Sequence, residues 1–270
     1  MAGTRRGFLG QLAAAGAALG WTGTAWARAS EARPASAPAP TAPPWPSQSP
    51  ELAREMVGVS HGNVDRVREL LALHPTLANA AWDWGFGDWE TALGAASHVG
   101  HREIAELLLV NGARPTLFSA AMLGQLEVVR ALIAASPGVQ KTRGPHGLTL
   151  LHHARAGGER AATVAEYLEE AGDADPKVEV APLEAAARAA LPGTYRFGPG
   201  DADRIEIAEG RLGLTFERAG GSARPLFHRG DLAFSPAGAE RVRIRFLLEK
   251  GRVAALAVED TVEVLRARRG

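Results

Sequence analysis

The stretch over residues 91–113 constrains the fold of this chain more than any other. It reads TALGAASHVGHREIAELLLVNGA, and in it Gly100 and Gly112 each follow a short run that is typical of a helix. In the second run, apolar side chains recur three and four residues apart, at Ile104, Leu107 and Leu108. Two helices this short cannot bury their own apolar faces, so neighbouring helix pairs must complete the core.

This pattern resembles an ankyrin repeat, and the resemblance extends over residues 51–175. The third repeat, which opens at Thr116, is close to the family pattern, the fourth opens as Thr149–Ala154, and the first, Met56–Leu71, is the weakest. The chain turns within the repeats at Gly62, Gly100, Gly124 and Gly158. The resemblance implies an all-α solenoid of about four repeats, a fold that usually serves binding.

The spacing of these turn glycines is uneven. It is 38, then 24, then 34 residues, against about 33 in the ankyrin pattern. The short second spacing leaves no room for the loop, or finger, that normally projects between repeats. Two long fingers are therefore predicted, an aromatic and acidic one over residues 81–90 and a basic one over residues 137–147.

Seven side chains of the two fingers are candidate partner-binding residues: Trp82, Trp84, Phe86, Trp89, Lys141, Arg143 and His146. Trp is the residue type most enriched at binding hot spots. Two interpretations of the aromatic group stay open, because such rings also pack well against inner helices. The charged group is also compatible with a solvated turn, since exposed charges on loops usually contribute little.

The first 29 residues resemble a twin-arginine export signal. Arg5 and Arg6 precede an Ala/Gly/Leu-rich run, and small-residue cleavage motifs follow around Ala27. A retained anchor is the alternative, but the apolar run of about a dozen residues falls short of the ~20 that span a bilayer. We expect a periplasmic or secreted protein with no stable membrane span after cleavage. Residues 30–50, with seven of the 17 prolines, are expected to be a disordered spacer.

Charge and cysteine content exclude several classes of function. The chain has 30 basic and 30 acidic residues, and without the three arginines of the predicted signal the balance is 27 to 30. Such a balance offers no basic field for nucleic acid. The absence of cysteine excludes disulfides, thiolate nucleophiles and cysteine-based metal sites.

One serine lies in a sequence that matches a catalytic motif. Ser60 stands in GVSHG, which matches the Gly-x-Ser-x-Gly elbow of serine hydrolases. That elbow requires a preceding buried strand, whereas residues 51–57 are charged and helix-like, and the Ser-His pair recurs at Ser97-His98. A serine hydrolase is therefore the least favoured function, and no catalytic residue is predicted.

The histidines form no recognisable metal motif. His98 and His101 are closely spaced and His152-His153 is a second pair. The ankyrin resemblance implies that histidines at positions 101 and 152 brace turns. A zinc site needs three or four convergent ligands, and the sequence shows no such set. No metal and no cofactor is predicted.

After Pro192, apolar residues recur at every second position, which is the period of a β-strand. Alternation and the two-residue loops Glu209-Gly210 and Lys250-Gly251 predict seven or eight antiparallel strands. Residues from Gly193 to Phe234 resemble the small lipocalin-like β domain appended to penicillin-binding-type serine hydrolases, which implies an accessory role because the catalytic partner of that family is missing. A side-chain-filled core and an apolar ligand between the strands are both open alternatives.

The predicted fold class is α+β multidomain, an ankyrin-repeat solenoid of about four repeats followed by a small antiparallel β-sheet or open barrel. The predicted function is non-enzymatic binding of a protein or peptide partner through the concave face and the fingers. The alternative is a small-ligand or cell-envelope binder that uses the β domain and the aromatic finger. The predicted signal occupies residues 1–29 and the linker residues 30–50. The repeats occupy residues 51–175, the connecting helix residues 176–191 and the β domain residues 192–268.

Overall fold

The computed structural model describes residues 47–211 and 213–270. The predicted export signal and most of the predicted linker lie outside the described residues. Helices dominate the described chain up to residue 189, and strands dominate from residue 193 onward. None of these helices combines the length and the apolar character needed to cross a membrane.

Eight helices form four consecutive packed pairs. The first helix in each of the last three pairs begins after a threonine, Thr91, Thr116 or Thr149, whose hydroxyl accepts a backbone N–H of the first turn. Such caps satisfy donors that the helix itself leaves without a partner. The eight helices are α1 (Pro50–Val59), α2 (Val64–Leu73), α3 (Ala92–His98), α4 (Arg102–Val110), α5 (Leu117–Met122), α6 (Leu126–Ala135), α7 (Leu150–Ala156) and α8 (Ala162–Ala171).

The prediction of a four-repeat solenoid is wrong. In a solenoid each repeat contacts only its neighbours, but here α3 packs directly against α7, past α5. His152 Nε2 lies 3.0 Å from the carbonyl oxygen of His98, and the buried apolar side chains of this region divide into two clusters. The α5 helix has only six residues and no finger before it, so it does not keep α3 and α7 apart.

A β-hairpin occupies the position predicted for the aromatic finger. Its strands are β1 (Ala81–Asp83) and β2 (Trp89–Thr91), which pair antiparallel. The Asp83 carboxylate closes the turn by accepting two backbone N–H groups. Because successive side chains on a strand point to opposite faces, Glu90 is buried while its neighbour Trp89 is exposed.

The connecting segment runs along the β domain before it enters it. Ala181 N donates to the carbonyl oxygen of His228 at 2.9 Å, and His228 Nδ1 lies 3.1 Å from the carbonyl oxygen of Ala181. A short helix, α9 (Ala185–Ala189), then leads to the first strand of the domain. The connecting segment is thus held against the β domain by a backbone hydrogen bond as well as by chain continuity.

Eight strands form a closed antiparallel barrel in simple meander order. Their side chains alternate between the interior and the surface, as the period of two requires. The ring is closed where the last strand pairs with the first, Arg268 opposite Arg196 and Arg269 opposite Tyr195. The strands are β3 (Gly193–Arg196), β4 (Arg204–Gly210), β5 (Gly213–Arg218), β6 (Arg224–Gly230), β7 (Ala233–Pro236), β8 (Arg243–Glu249), β9 (Arg252–Asp260) and β10 (Val262–Arg269).

The predicted small sheet or open barrel is therefore corrected to a closed barrel. Closure pairs both outer strands of the meander, which removes the free edges that an open sheet would expose. An interior of eight strands is just wide enough for side chains to fill. Tyr195 and Phe234 both stack edge-on against Phe246, with ring centroids 5.7 and 5.5 Å apart.

Two turn glycines offer a matched test of close packing between α3 and α7. Gly100 and Gly112 both have positive φ, 74° and 88°. A Cβ on Gly100 would fall well inside the van der Waals radius of the carbonyl oxygen of Ala156, whereas one on Gly112 would meet open space. Gly112→Ala should cost roughly 1 kcal/mol through the left-handed backbone, and Gly100→Ala about 1–3 kcal/mol more through the forced shift.

Urea denaturation followed by far-UV circular dichroism measures both losses in the free energy of unfolding. Equal losses for the two variants would show that α3 and α7 are not in contact at Gly100.

Candidate functional site

Four side chains that can bind metals meet beneath the hairpin of β1 and β2. They are His61, Glu90, His98 and His146, and one nitrogen or oxygen atom from each lies within 4.8 Å of those of the other three. They come from the turn after α1, from β2, from the end of α3 and from the connection before α7. We call this set the histidine–glutamate cluster.

Local backbone structure places each member of the cluster. Glu90 points inward because of its position on β2. His98 is the last residue of α3, and His61 follows the end of α1, where its Nδ1 faces two carbonyl oxygens of the last helical turn at 3.1 and 3.0 Å. His146 lies in a tight turn with φ 59°, a left-handed conformation that turns its ring toward the hairpin.

The reactive atoms of the cluster are in close contact. Nε2 of His98 lies 3.1 Å from Nε2 of His61 and 2.9 Å from Oε1 of Glu90. Nε2 of His146 lies 3.4 Å from the same oxygen, and Nε2 of His61 lies 3.5 Å from Oε2. Three imidazole nitrogens therefore surround one carboxylate.

The carboxylate of Glu90 is wholly buried, whereas the His61 and His146 side chains are each 31% exposed. Burial opposes ionisation of Glu90, but close contacts with His146 and His98 outweigh it and hold its pKa at about 2. Burial also lowers the pKa of His146, and contacts with Asp88 and Glu90 more than offset this and raise it to about 9. The indole N–H of Trp84 donates to Oε2 of Glu90 at 2.7 Å.

A second buried carboxylate links the cluster to the barrel. Asp88 accepts hydrogen bonds from the backbone N–H of His146 at 2.8 Å and lies 2.9 Å from its Nδ1. Arg224 on β6 reaches Asp88 at 3.1 Å and also donates to the carbonyl oxygen of Trp84 at 2.7 Å. The barrel thus supplies the cation that neutralises a carboxylate of the hairpin.

Another buried imidazole lies close to the cluster but outside it. The ring centroid of His153 is 6.5 Å from that of His98, and its Nδ1 lies 2.9 Å from the carbonyl oxygen of Thr149. Burial lowers the pKa of His153 to about 4. This imidazole is therefore neutral near pH 7.

The aromatic residues predicted to bind a partner divide into two groups. Trp82 and Trp84 are partly buried and pack against the apolar cluster of the first helices. Phe86 is 41% exposed and Trp89 is 63% exposed. The packing interpretation thus describes Trp82 and Trp84, and partner binding by Phe86 and Trp89 stays a prediction.

The basic residues predicted to bind a partner have other contacts. Lys141 pairs with Asp173 at 3.2 Å, and Arg143 donates to the carbonyl oxygens of Gly147 and Pro176. In the second finger, His146 reaches the hairpin through Asp88 and Glu90. The structure therefore brings together Trp84 and His146, and leaves Lys141 and Arg143 elsewhere.

Ser60 lies where a nucleophile would not be effective. It caps the end of α1, is fully buried, and its hydroxyl donates to the carbonyl oxygen of Met56 at 2.7 Å. The Nδ1 of the following His61 faces carbonyl oxygens rather than this hydroxyl.

Sequence reasoning missed the cluster as a set. The sequence places His98 beside His101 and marks His146 as a candidate partner-binding residue, but it singles out neither His61 nor Glu90. One signal was present, because Ser60-His61 and Ser97-His98 recur immediately before equivalent turns. Helices that stack side by side bring equivalent positions together, and the two imidazoles indeed touch.

Comparison with known proteins gives one family match. The ankyrin-repeat family model matches residues 88–118, which span β2, α3 and α4 and end in α5. This stretch is similar to an ankyrin repeat. A match to one stretch does not support the predicted array of four, in agreement with the packing of α3 on α7.

No curated protein matches the chain. Forty-two solved chains match, among them one titled "Crystal structure of SurE", which is 25% identical with a TM-score of 0.26. That match covers 44% of this chain and 28% of the length of the solved one. A likeness with so low a TM-score carries no structural argument.

A second pair of glycines tests the joint between hairpin and barrel. Gly238 and Gly251 have similar positive φ, 79° and 75°. A Cβ on Gly238 would lie 2.7 Å from an oxygen of Asp88, whereas one on Gly251 would meet no atom within 4 Å. Gly238→Ala should therefore lower the free energy of unfolding by about 1–3 kcal/mol more than Gly251→Ala.

Chemical denaturation of both variants measures the difference. If both variants lose the same stability, the barrel loop does not rest on Asp88.

Proposed function

We propose that the protein binds a protein partner through the tip and outer face of its hairpin, together with the adjoining ankyrin-type helices. The observation that carries the proposal is the family match at residues 88–118, since ankyrin repeats commonly serve protein binding. The matched stretch begins at the second strand of the hairpin and includes Trp89. The most exposed ring of the hairpin therefore belongs to the part of the chain that is similar to a binding module.

The exposure of the aromatic side chains supports this surface. Trp89 and Phe86 present large apolar areas to solvent, and Trp is enriched among residues that dominate binding energy. Trp82 and Trp84 face the helices, so the same hairpin has an inner face that packs and an outer face that is free to bind. The contacts of Lys141 and Arg143 keep these residues out of the proposed surface.

We further propose that the protein acts by binding rather than by catalysis, and that it is exported. The buried position of Ser60 favours the first point. The second rests on Arg5, Arg6 and the apolar run that follows them. The resemblance of the β domain to a lipocalin-like accessory domain is compatible with this role and stays a prediction.

The alternative of a small-ligand binder receives less support. Leu214, Phe216 and Phe246, which would line a ligand cavity between strands, are buried within the barrel core. A surface groove of about 650 Å³ lies elsewhere, between α9 and the loop that joins β8 to β9. None of the residues that line this groove belongs to the hairpin, so the two do not form one pocket.

Site-specific photo-crosslinking tests the proposed surface. A photoreactive phenylalanine analogue replaces Trp89 in the full chain, and in a control it replaces Val262, which is similarly exposed, at 68%, on the barrel. We expect a defined adduct in the cells that produce the protein from position 89 alone, because binding buries the hairpin. Adducts of the same pattern from both positions, or none from position 89, would contradict the proposal.

Export has a separate test. The Arg5→Lys/Arg6→Lys variant should accumulate in the cytoplasm, because the twin-arginine pair is what marks such a signal. Cell fractionation and immunoblotting measure the distribution, with a substitution at Arg28 as the control. If the double variant still reaches the periplasm, the first 29 residues are not a twin-arginine signal.

A further inference from the structure

We propose that His61, Glu90, His98 and His146 bind one divalent transition-metal ion of the zinc class in four-coordinate geometry. The inference is independent of the proposed partner binding, because it rests on side chains beneath the hairpin and not on its outer face. The ion would tie four segments of the helical region to one point.

The spacing of the four side chains fits such an ion. Ligand atoms about 2.0–2.1 Å from a tetrahedral Zn²⁺ lie about 3.3–3.4 Å from one another. The closest contacts in the cluster are 2.9, 3.1, 3.4 and 3.5 Å. The contacts of 2.9, 3.1 and 3.4 Å involve Oε1 of Glu90 and the Nε2 atoms of the three histidines, and they are close to the edge length of such a tetrahedron. All four ligand atoms lie within 4.8 Å of one another, so small side-chain rotations bring them to one ion.

A buried oxygen in the cluster has no hydrogen-bond partner among the described residues. Oε1 of Glu90 is inaccessible to solvent, and no N–H points at it with hydrogen-bond geometry although two imidazole nitrogens are near. The surrounding imidazoles offset the charge of the carboxylate, but this oxygen still lacks an aligned donor. A cation bound to it supplies the missing partner.

Outer contacts orient two of the imidazoles for coordination. Nδ1 of His61 faces only carbonyl oxygens, so it carries the proton, and its Nε2 then presents a lone pair to the cluster. Nδ1 of His146 faces the carboxylate of Asp88, so a metal ion that displaces the proton on Nε2 meets a lone pair directed into the cluster. Metal-binding histidines usually make such an outer hydrogen bond to a carboxylate or a backbone carbonyl.

The ligand set selects the class of ion. Three imidazoles and one carboxylate suit zinc and its neighbours in the first transition row, whereas magnesium and calcium prefer oxygen ligands alone. Four protein ligands around Zn²⁺ are typical of structural sites, which have no open position for a substrate. The proposed ion therefore stabilises the fold and holds Glu90, and with it the hairpin, in place.

Metal titration of the full chain tests the proposal. The protein is prepared without a polyhistidine tag, freed of metal with a chelator, and titrated with Co²⁺ and then Zn²⁺. We expect one Co²⁺ per chain with the intense visible absorption of a tetrahedral complex, and its displacement by one Zn²⁺. Zn²⁺ at about 100 times its Kd should raise the midpoint of thermal unfolding by about 5–10 °C.

Three variants locate the site. His98→Gln and His61→Gln should each weaken Co²⁺ binding by at least about 100-fold, since loss of a ligand exceeds the 10–100-fold effect of losing an outer contact. His74→Gln, at a histidine outside the cluster, should bind as the wild type does. Circular dichroism of the chelated proteins establishes that each variant is folded. If the His98 variant does not fold, the His61 variant carries the comparison.

Several results would overturn the proposal. If the chelated wild type takes up neither Co²⁺ nor Zn²⁺, the cluster is a network of ion pairs and hydrogen bonds between Glu90 and the histidines, and not a metal site. Equal losses in the His74 and His98 variants would indicate adventitious surface binding. Weak, octahedral-type Co²⁺ absorption would exclude the four-coordinate site.

Discussion

Two buried carboxylates, two residues apart in the hairpin, are the constraint on which much of this structure depends. Asp88 and Glu90 are both almost inaccessible to solvent. An ionised carboxylate moved out of water costs several kcal/mol unless other groups compensate it. The hairpin itself supplies only the indole N–H of Trp84, so the remaining partners must come from other elements.

Those partners explain why distant parts of the chain meet at one place. Arg224 comes from the barrel and neutralises Asp88, while imidazoles from two helix ends and one connection surround Glu90. The turn that carries His146 is held by a hydrogen bond from its own backbone to Asp88. The helical region and the barrel are therefore joined by an ion pair between Arg224 and Asp88, and not only by the linker.

Much of the local structure could be predicted from the sequence. The hairpin lies where an aromatic finger was expected, and threonines precede helices as capping residues should. The loop at Lys250 and Gly251 joins β8 to β9, and both residues have positive φ, as a tight hairpin turn requires. The other predicted loop is wrong in position, because Glu209 and Gly210 belong to β4 and pair with β5. Barrel closure could not be predicted, because it depends on pairing between the first and last strands, which no local pattern encodes.

The site was less accessible to sequence reasoning, for a related reason. The recurrence of His61 and His98 before equivalent turns was visible, but Glu90 reads as an ordinary acidic residue until its burial is known. His146 belongs to a connection whose path depends on Asp88 and on the barrel behind it. A regular ankyrin array places His98 and the segment before α7 two repeats apart, so the ankyrin resemblance predicts no contact between them.

The position of the tryptophans makes intrinsic fluorescence a local probe of the hairpin. In the described part of the chain, Trp82, Trp84 and Trp89 are the tryptophans, and all three belong to one hairpin. One ring packs on helices, one hydrogen-bonds to a buried carboxylate and one faces solvent. The fluorescence of these three tryptophans therefore responds to changes around the hairpin and much less to changes inside the barrel.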